Sequence, residues 1–239
     1  MENGLGIIAT SSNIDFMIHG LYKFELFGKE LWLTTTHVSL LIVVALIMIF
    51  AIVVRVRLTH GKGKPSRLQN IAEMAVEAID NLVEDSMGKS AKKFRNYIAA
   101  LFIFLLIANI SGLLGLRPPT ADYGITMALG VISFIIIQYN NIKHNKFGAV
   151  TELFKPYPVF APINIIGEIA VPLSLSLRLF GNVLSGTIMM TLIYGLLSKF
   201  AYGWPGFLHI YFDIFSGCIQ AYVFCMLTMV FISSKLEEE

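Results

Sequence analysis

The chain has 239 residues, 56% hydrophobic and only 14% charged, with a mean hydropathy of +0.71. Soluble domains carry about 25% charged residues, so this composition excludes an ordinary soluble enzyme and identifies an integral membrane protein. The net charge of +2 says little in total; the placement of the charges says more.

The start, Met1-Glu2-Asn3-Gly4, lacks the basic opening of a secretory signal. Residues 1–36 scatter Phe16, Tyr22, Phe24, Phe27 and Trp32 among polar groups, as expected of a segment lying at the outer membrane interface, where aromatics settle. Residues 37–56 are almost unbroken apolar sequence and predict a first spanning helix. Arg55, Arg57, Lys62, Lys64 and Arg67 then form a basic run; such runs beside spans mark the cytoplasmic side, and a nucleic-acid role is set aside.

Residues 66–88 read as an amphipathic helix. Leu68, Ile71, Ala72, Ala75, Ile79, Leu82 and Val83 follow helical spacing, while Glu73, Glu77, Asp80, Glu84 and Asp85 occupy much of the remaining surface. Ser66 is placed to cap its start and Gly88 to end it. Too charged to span, it is expected along the cytoplasmic surface. Gly88-Lys89-Ser90 resembles the end of a phosphate-binding loop, but Val83 stands where that motif needs glycine and a helix precedes it, so no nucleotide site is read.

A second span is predicted over 96–115, carrying Asn109, Ser111 and Gly112 and followed by a turn from Arg117 to Asp122. A third covers 123–140, and a polar loop from about 139 to 158 holds Lys143, Lys146 and Lys155. Residues 163–198 would form a helix about 54 Å long against a hydrocarbon core of about 30 Å, so they must tilt or break, with Pro172, Gly181 and Gly186 permitting a bend. The last span is 207–233. It contains Cys218 and Cys225, seven apart, which read as packing residues and not as a disulfide or metal site. Five spans with the N-terminus outside put 13 of the 18 Lys and Arg in cytoplasmic segments; Lys23, Lys29, Arg117 and Lys199 fall outside, and Arg178 lies within the membrane. The fold class is thus all-α and polytopic, with five transmembrane helices and one surface helix in a single domain. No internal repeat is visible, which weighs against inverted-repeat carriers.

Between 163 and 198 the only fully charged side chains are Glu168 and Arg178. A guanidinium near the bilayer centre costs roughly 3 to 17 kcal/mol depending on method, and arginine cannot escape by losing its proton as lysine can. Helical spacing puts Ser174, Arg178, Gly181, Asn182 and Ser185 on one small, polar face. In the last span Asp213 and Gln220 share a face, with Ser216 and Gly217 between them. Together with Glu168 these residues describe a polar seam with a carboxylate toward each side and a fixed cation between, the arrangement an H⁺ or Na⁺ path requires. A purely structural role stays open for each: an arginine paired elsewhere in the bundle, a glutamine holding two helices, interfacial acids reaching water. No carboxylate opposes Arg178 at mid-depth, so its counter-charge is expected from another subunit.

The stretch from Pro172 to Asn182 (PLSLSLRLFGN) closely resembles the signature of subunit a of F-type ATP synthases, and Gln220-Ala221-Tyr222-Val223-Phe224 resembles that family's last helix. The resemblance extends over nearly the whole chain. It implies a stator subunit beside a rotating ring of c subunits, with the peripheral-stalk b subunit, the remainder of the complex and membrane lipid as further partners, and no nucleic acid. It implies a multi-pass protein of the bacterial inner membrane, N-terminus outside and C-terminus cytoplasmic, with no bond chemistry and no cofactor, only a transported H⁺ or Na⁺. Arg178 matches the family arginine that faces the ring carboxylate, with Asn182 and Gln220 near it. Glu168, Ser185, Thr187 and Asp213 complete the expected ion-translocating set. The sequence departs from one family pattern: a glutamate nine residues after the arginine is Thr187 here, and a histidine seven before the glutamine is Asp213. Two other classes remain as alternatives. A self-contained cation-coupled carrier would transport without a ring, and an intramembrane hydrolase would need a nucleophile or metal cluster, whereas His19, His37, His60, His144 and His209 show no ligand spacing.

Overall fold

The computed structural model describes residues 20–26, 29–60, 67–88, 91–114, 116–145, 154, 157–196 and 205–236. Expectations that fall on residues 1–19, Lys62, Lys64, Ser66, Lys89, Ser90, Lys146, Lys155, Lys199 and the last three glutamates lie outside the described residues.

The spans follow the apolar runs. Helices α1 (Thr35–His60), α3 (Ala91–Ile110), α4 (Tyr123–Asn145), α5 (Ala161–Leu196) and α6 (Pro205–Ser234) are long and apolar enough to cross a membrane, α3 with a short 3₁₀ extension through Leu114. Helix α2 (Arg67–Met87) is the amphipathic one, and Gly88, at φ +52°, takes the left-handed cap conformation that glycine adopts without steric cost. Two details add to these expectations. The segment read as an interfacial stretch contains an antiparallel hairpin, β1 (Gly20–Leu26) paired with β2 (Lys29–Thr34), running directly into α1. The third span does not end in a loop at 139–140. Helix α4 continues to Asn145; within it the Asn140 amide donates back to the Ile136 carbonyl at 2.7 Å and its oxygen takes the ammonium of Lys93 on α3.

The core is built by one face of α3. Phe94, Ile98, Leu101 and Leu105 pack with Leu175 and Leu179 of α5 and with Ala221, Phe224, Cys225 and Met229 of α6. The C-terminal half of α2 joins this core through Ile79, Val83 and Met87, whereas Ile71, Met74 and Val76 in its first half remain exposed. Only 11% of the apolar window of α1 is buried against the chain, so its Leu, Ile and Phe side chains are left for lipid. Both cysteines are free thiols, Cys225 buried in the core.

Polar contacts stitch the helices. Tyr97 and Ser133 join α3 to α4 by a 2.7 Å hydrogen bond, and Arg95 pairs with Asp80 at 3.0 Å to hold α3 to α2. Two glycines permit close approach: a Cβ on Gly130 would lie 2.8 Å from the Pro172 carbonyl of α5, and one on Gly217 would lie 2.9 Å from Cβ of Asn109. Helix α5 runs as one piece of 36 residues with Pro172 inside it, so it tilts or projects and does not break. Proline there removes one N–H, and its own carbonyl packs closely against Gly130 of α4.

Candidate functional site

Helices α5 and α6 carry the site. On α5, Ser174, Arg178, Gly181, Asn182 and Ser185 are all exposed from this chain, and a Cβ added at Gly181 would meet nothing within 4 Å. The face read from spacing is therefore an open one. Among the described residues, Arg178 has neither a hydrogen bond nor an ion-pair partner, and the opposite side of the same turn, Leu175 and Leu179, is sealed into the core. The Ser185 hydroxyl is turned back onto its own helix, donating to the Asn182 carbonyl at 2.9 Å, which leaves the face small.

One step around the helix, Asn182 reaches α6: its amide donates to the Gln220 carbonyl oxygen at 3.1 Å. Gln220 is 4% exposed, and its own amide nitrogen has no partner among the described residues. Beside it lies a cavity of about 20 Å³ lined by Asn182, Thr187, Asp213, Ser216 and Gln220 together with Asn109. That volume holds about one water molecule, and a polar lining with an orphan donor is where a buried water is stable. Thr187 lines it too, with its hydroxyl donating to the Val183 carbonyl of its own helix at 2.9 Å.

Asp213 lies within a π-helical stretch, Ile210–Ser216, embedded in α6. Such wider turns are rare and concentrate at functional sites. Asn109 holds the end of the stretch: its amide donates to the Gly217 carbonyl at 3.0 Å, and its oxygen accepts from Thr120 at 2.8 Å. At the other end, His209 Nδ1 lies 2.6 Å from Asp213 Oδ2, and His209 Nε2 lies 3.0 Å from the Tyr194 hydroxyl of α5.

Of the residues singled out from sequence, Asn182, Thr187, Asp213 and Gln220 meet at one cavity, while Arg178 and Ser185 share the open face adjoining it. Glu168 stands apart, ten residues or about 15 Å along α5 from Arg178. One of its oxygens accepts from the Gln138 amide of α4 at 2.5 Å and the other pairs with Lys235, beyond the end of α6, at 2.8 Å. The sequence names His209 and Asn109 without a place in the seam, and gives no sign of Tyr194 or of the clamp made by Asn109 and Thr120. The i, i+4 spacing of His209 and Asp213 is the signal that could have found the first.

The chain as a whole is similar to known proteins. The family described as ATP synthase A chain matches residues 37–233. The chain is 34% identical over 231 residues to ATP synthase subunit a of Geobacter sulfurreducens, covering 93% of this chain and 99% of that one. It is 35% identical over 231 residues to ATP synthase subunit a of Priestia megaterium, covering 87% and 95%. It is 37% identical over 191 residues to ATP synthase subunit a, sodium ion specific, of Propionigenium modestum, covering 72% of this chain and 64% of that longer relative. A match through all five spans, including both helices of the arginine site, places this chain in the ATP synthase A chain family as a multi-pass membrane protein of the ATP synthase membrane sector.

Proposed function

We propose that this subunit is the ion-translocating stator of a rotary F-type ATP synthase. It offers two offset aqueous half-channels to carboxylates on a rotating ring of c subunits, so that ion flow drives the ring and, through partner subunits, ATP synthesis. The observation that carries this reading is Arg178: an intramembrane cation on an open, small-residue face, with no counter-ion among the described residues. A guanidinium so placed is complete only when a carboxylate from outside the chain passes in front of it.

A ring carboxyl moving through lipid must be neutral, whether protonated or holding Na⁺. At about 4 Å from a guanidinium, with an effective dielectric near 20, its ionised form gains about 4 kcal/mol, equivalent to about 3 pH units. That is enough to strip the ion from the carboxyl at Arg178 and restore it one step away. The same charge repels cations that would otherwise leak between the half-channels. The Asp213 cavity, ending at Asn182 and Gln220, serves as the outer half-channel, and the Glu168–Lys235 end of α5 marks the cytoplasmic exit. The basic segments beside the spans support this orientation, with the N-terminus outside. The b subunit and the rest of the complex hold the stator against the ring.

The test is Arg178→Ala in the whole complex, reconstituted in vesicles with assembly checked. ATP synthesis driven by an imposed ion gradient is expected to disappear, with a passive leak in its place. Arg178→Lys, which keeps charge but loses the planar fork and can deprotonate when desolvated, is expected to fail as well. An assembled Arg178→Ala complex making ATP at the wild-type rate would refute the reading.

A further inference from the structure

We propose that a separate cavity at the outer ends of α1, α3 and α4 binds the phosphoethanolamine headgroup and one acyl chain of an outer-leaflet phospholipid. The proposal goes beyond the stator reading: none of its residues belongs to α5 or α6, and it takes from that reading only which leaflet is the outer one.

The cavity measures about 410 Å³. Small-molecule sites span roughly 300–1,000 Å³, so this one is sized for an organic group and not for a lone ion or water. Its lining changes character with depth. Thr36 and His37, in the first turn of α1, and Asp122 and Gly124, where α4 begins, form a polar end. Leu40, Phe104, Ile125 and Leu129 form an apolar one. Along α4 the exposed side continues through Ala128, Ile132 and Ile135, spaced four and three apart and therefore on one face. A polar head at the helix starts with an apolar chain running down α4 fits that gradient, and a water-soluble metabolite does not.

The polar end selects the headgroup. Thr36 is 1% exposed, and its hydroxyl has no hydrogen-bond partner among the described residues. Buried hydroxyls are seldom left unpaired, and this one lines a cavity where a ligand oxygen completes it. His37 Nδ1 lies 2.6 Å from the Thr34 hydroxyl. With that hydroxyl donating to Nδ1, Nε2 carries the ring proton and is the second donor. Both donors stand at the N-terminus of α1, whose dipole favours an anion, so they suit a phosphate. Across the cavity Asp122 is already oriented: one oxygen accepts from the Gly124 N–H at 2.9 Å. A Cβ on Gly124 would lie 3.3 Å from that oxygen, so the glycine leaves room for the hold. The other carboxylate oxygen has no partner among the described residues. A fixed carboxylate with a spare oxygen suits a primary ammonium, which brings three N–H donors. A choline headgroup has the charge but no N–H, and a glycerol headgroup lacks the cation.

The experiment uses the complete complex in phosphatidylcholine nanodiscs containing a phosphatidylethanolamine with a diazirine in one acyl chain. After irradiation, label is expected on the peptides that hold Leu40 and Ile125. Unlabelled phosphatidylethanolamine with the same chains is expected to displace it at about one-tenth the concentration needed of phosphatidylcholine or phosphatidylglycerol, the worth of one charge-assisted hydrogen bond. Asp122→Asn keeps an oxygen for the Gly124 N–H and removes only the charge, so it is expected to abolish this preference while the complex assembles and makes ATP normally. Thr36→Val keeps the shape of the side chain and removes the hydroxyl. It is expected to weaken labelling several-fold, whereas a hydroxyl that serves no ligand predicts unchanged labelling and a more heat-stable complex. Equal displacement by the three lipids, or an undiminished preference in Asp122→Asn, would overturn the proposal. So would absence of label at both peptides, the result expected if a partner polypeptide fills the cavity. Labelling is measured in Arg178→Ala as well: normal labelling there alongside normal ATP synthesis removes the stator reading and leaves the lipid site standing.

Discussion

Gly217→Ala is the sharpest structural test of how α6 is held. An ideal Cβ at position 217 would sit 2.9 Å from Cβ of Asn109, whereas carbon atoms pack at about 3.5–4.0 Å. Helices α3 and α6 must therefore separate locally by about 0.6–1.1 Å. The bond from the Asn109 amide to the Gly217 carbonyl, now 3.0 Å, would stretch to about 3.6 Å or more, beyond hydrogen-bond range. Asn109 is 3% exposed, so bulk water does not reach it, and at most the single water of the adjoining cavity could take up part of the lost bond. Overpacking costs about 1–3 kcal/mol and an unsatisfied buried amide about 1–3 more, against a gain of about 1 from helix propensity. The net loss is about 1–5 kcal/mol, and it falls on the wall of the Asp213 cavity, which Asn109 and Gly217 both line. Gly206→Ala, where nothing lies within 4 Å, is the matched control. Thermal inactivation of the detergent-solubilised complex and gradient-driven synthesis are the two assays. Equal stability and activity for the two variants would refute the close α3–α6 contact and the clamp built on it.

The remaining expectations follow from the open face and the exit end. A Cβ at Gly181 meets nothing within 4 Å, so Gly181→Leu is expected to fold and insert normally while coupled synthesis collapses, because the side chain would stand on the face proposed to meet the ring; unchanged synthesis would mean that this face meets no ring. Glu168→Gln removes the carboxylate that lies 2.8 Å from the Lys235 ammonium and puts a neutral amide in its place. Synthesis is expected to slow several-fold and to recover in the Glu168→Gln, Lys235→Met double variant, and equal rates for wild type and single variant would put Glu168 outside the pathway.

Much of this was legible in the sequence because it depends on local periodicity. Unbroken apolar runs give the five spans, and 3.6-residue spacing alone places Ser174, Arg178, Gly181, Asn182 and Ser185 together. Seven-residue spacing likewise brings Asp213 and Gln220 to one cavity, although a π-helical stretch intervenes. The rest depends on contacts between distant segments or on backbone registers that no side chain announces. Lys235 and Glu168 are 67 residues apart, and nothing near either names the other. The π stretch is a hydrogen-bond register sustained by Asn109 on another helix. The hairpin is a different kind of miss. Tyr22, Phe24 and Leu26 alternate with Lys23 and Glu25, which is a period-two signal, but the aromatic content invites an interfacial reading instead.

The pairing of the two acids gives the arginine its meaning. Helix α5 and helix α6 each carry one intramembrane carboxylate, Glu168 and Asp213, and either could have neutralised Arg178 had the fold brought them together. Each is instead engaged by a local cationic or basic partner, Glu168 by Lys235 and Asp213 by His209. An internal ion pair would have lowered the cost of holding a guanidinium in the membrane, and it would also have cancelled the charge. Leaving that charge open keeps its full attraction available to a carboxylate that arrives and departs. The small residues beside it then set the condition for departure: Gly181 and Ser185 leave room for solvent, and Asn182 is already occupied with Gln220, so the contact need not close into a dry, permanent bridge. A buried bridge of that kind costs about 3–5 kcal/mol to break from one side and would stall each step of a rotating partner. On the rotary reading proposed above, an exposed arginine on a sparse polar face would bind weakly enough to let go, and strongly enough to shift a carboxyl by about 3 pH units as it passed.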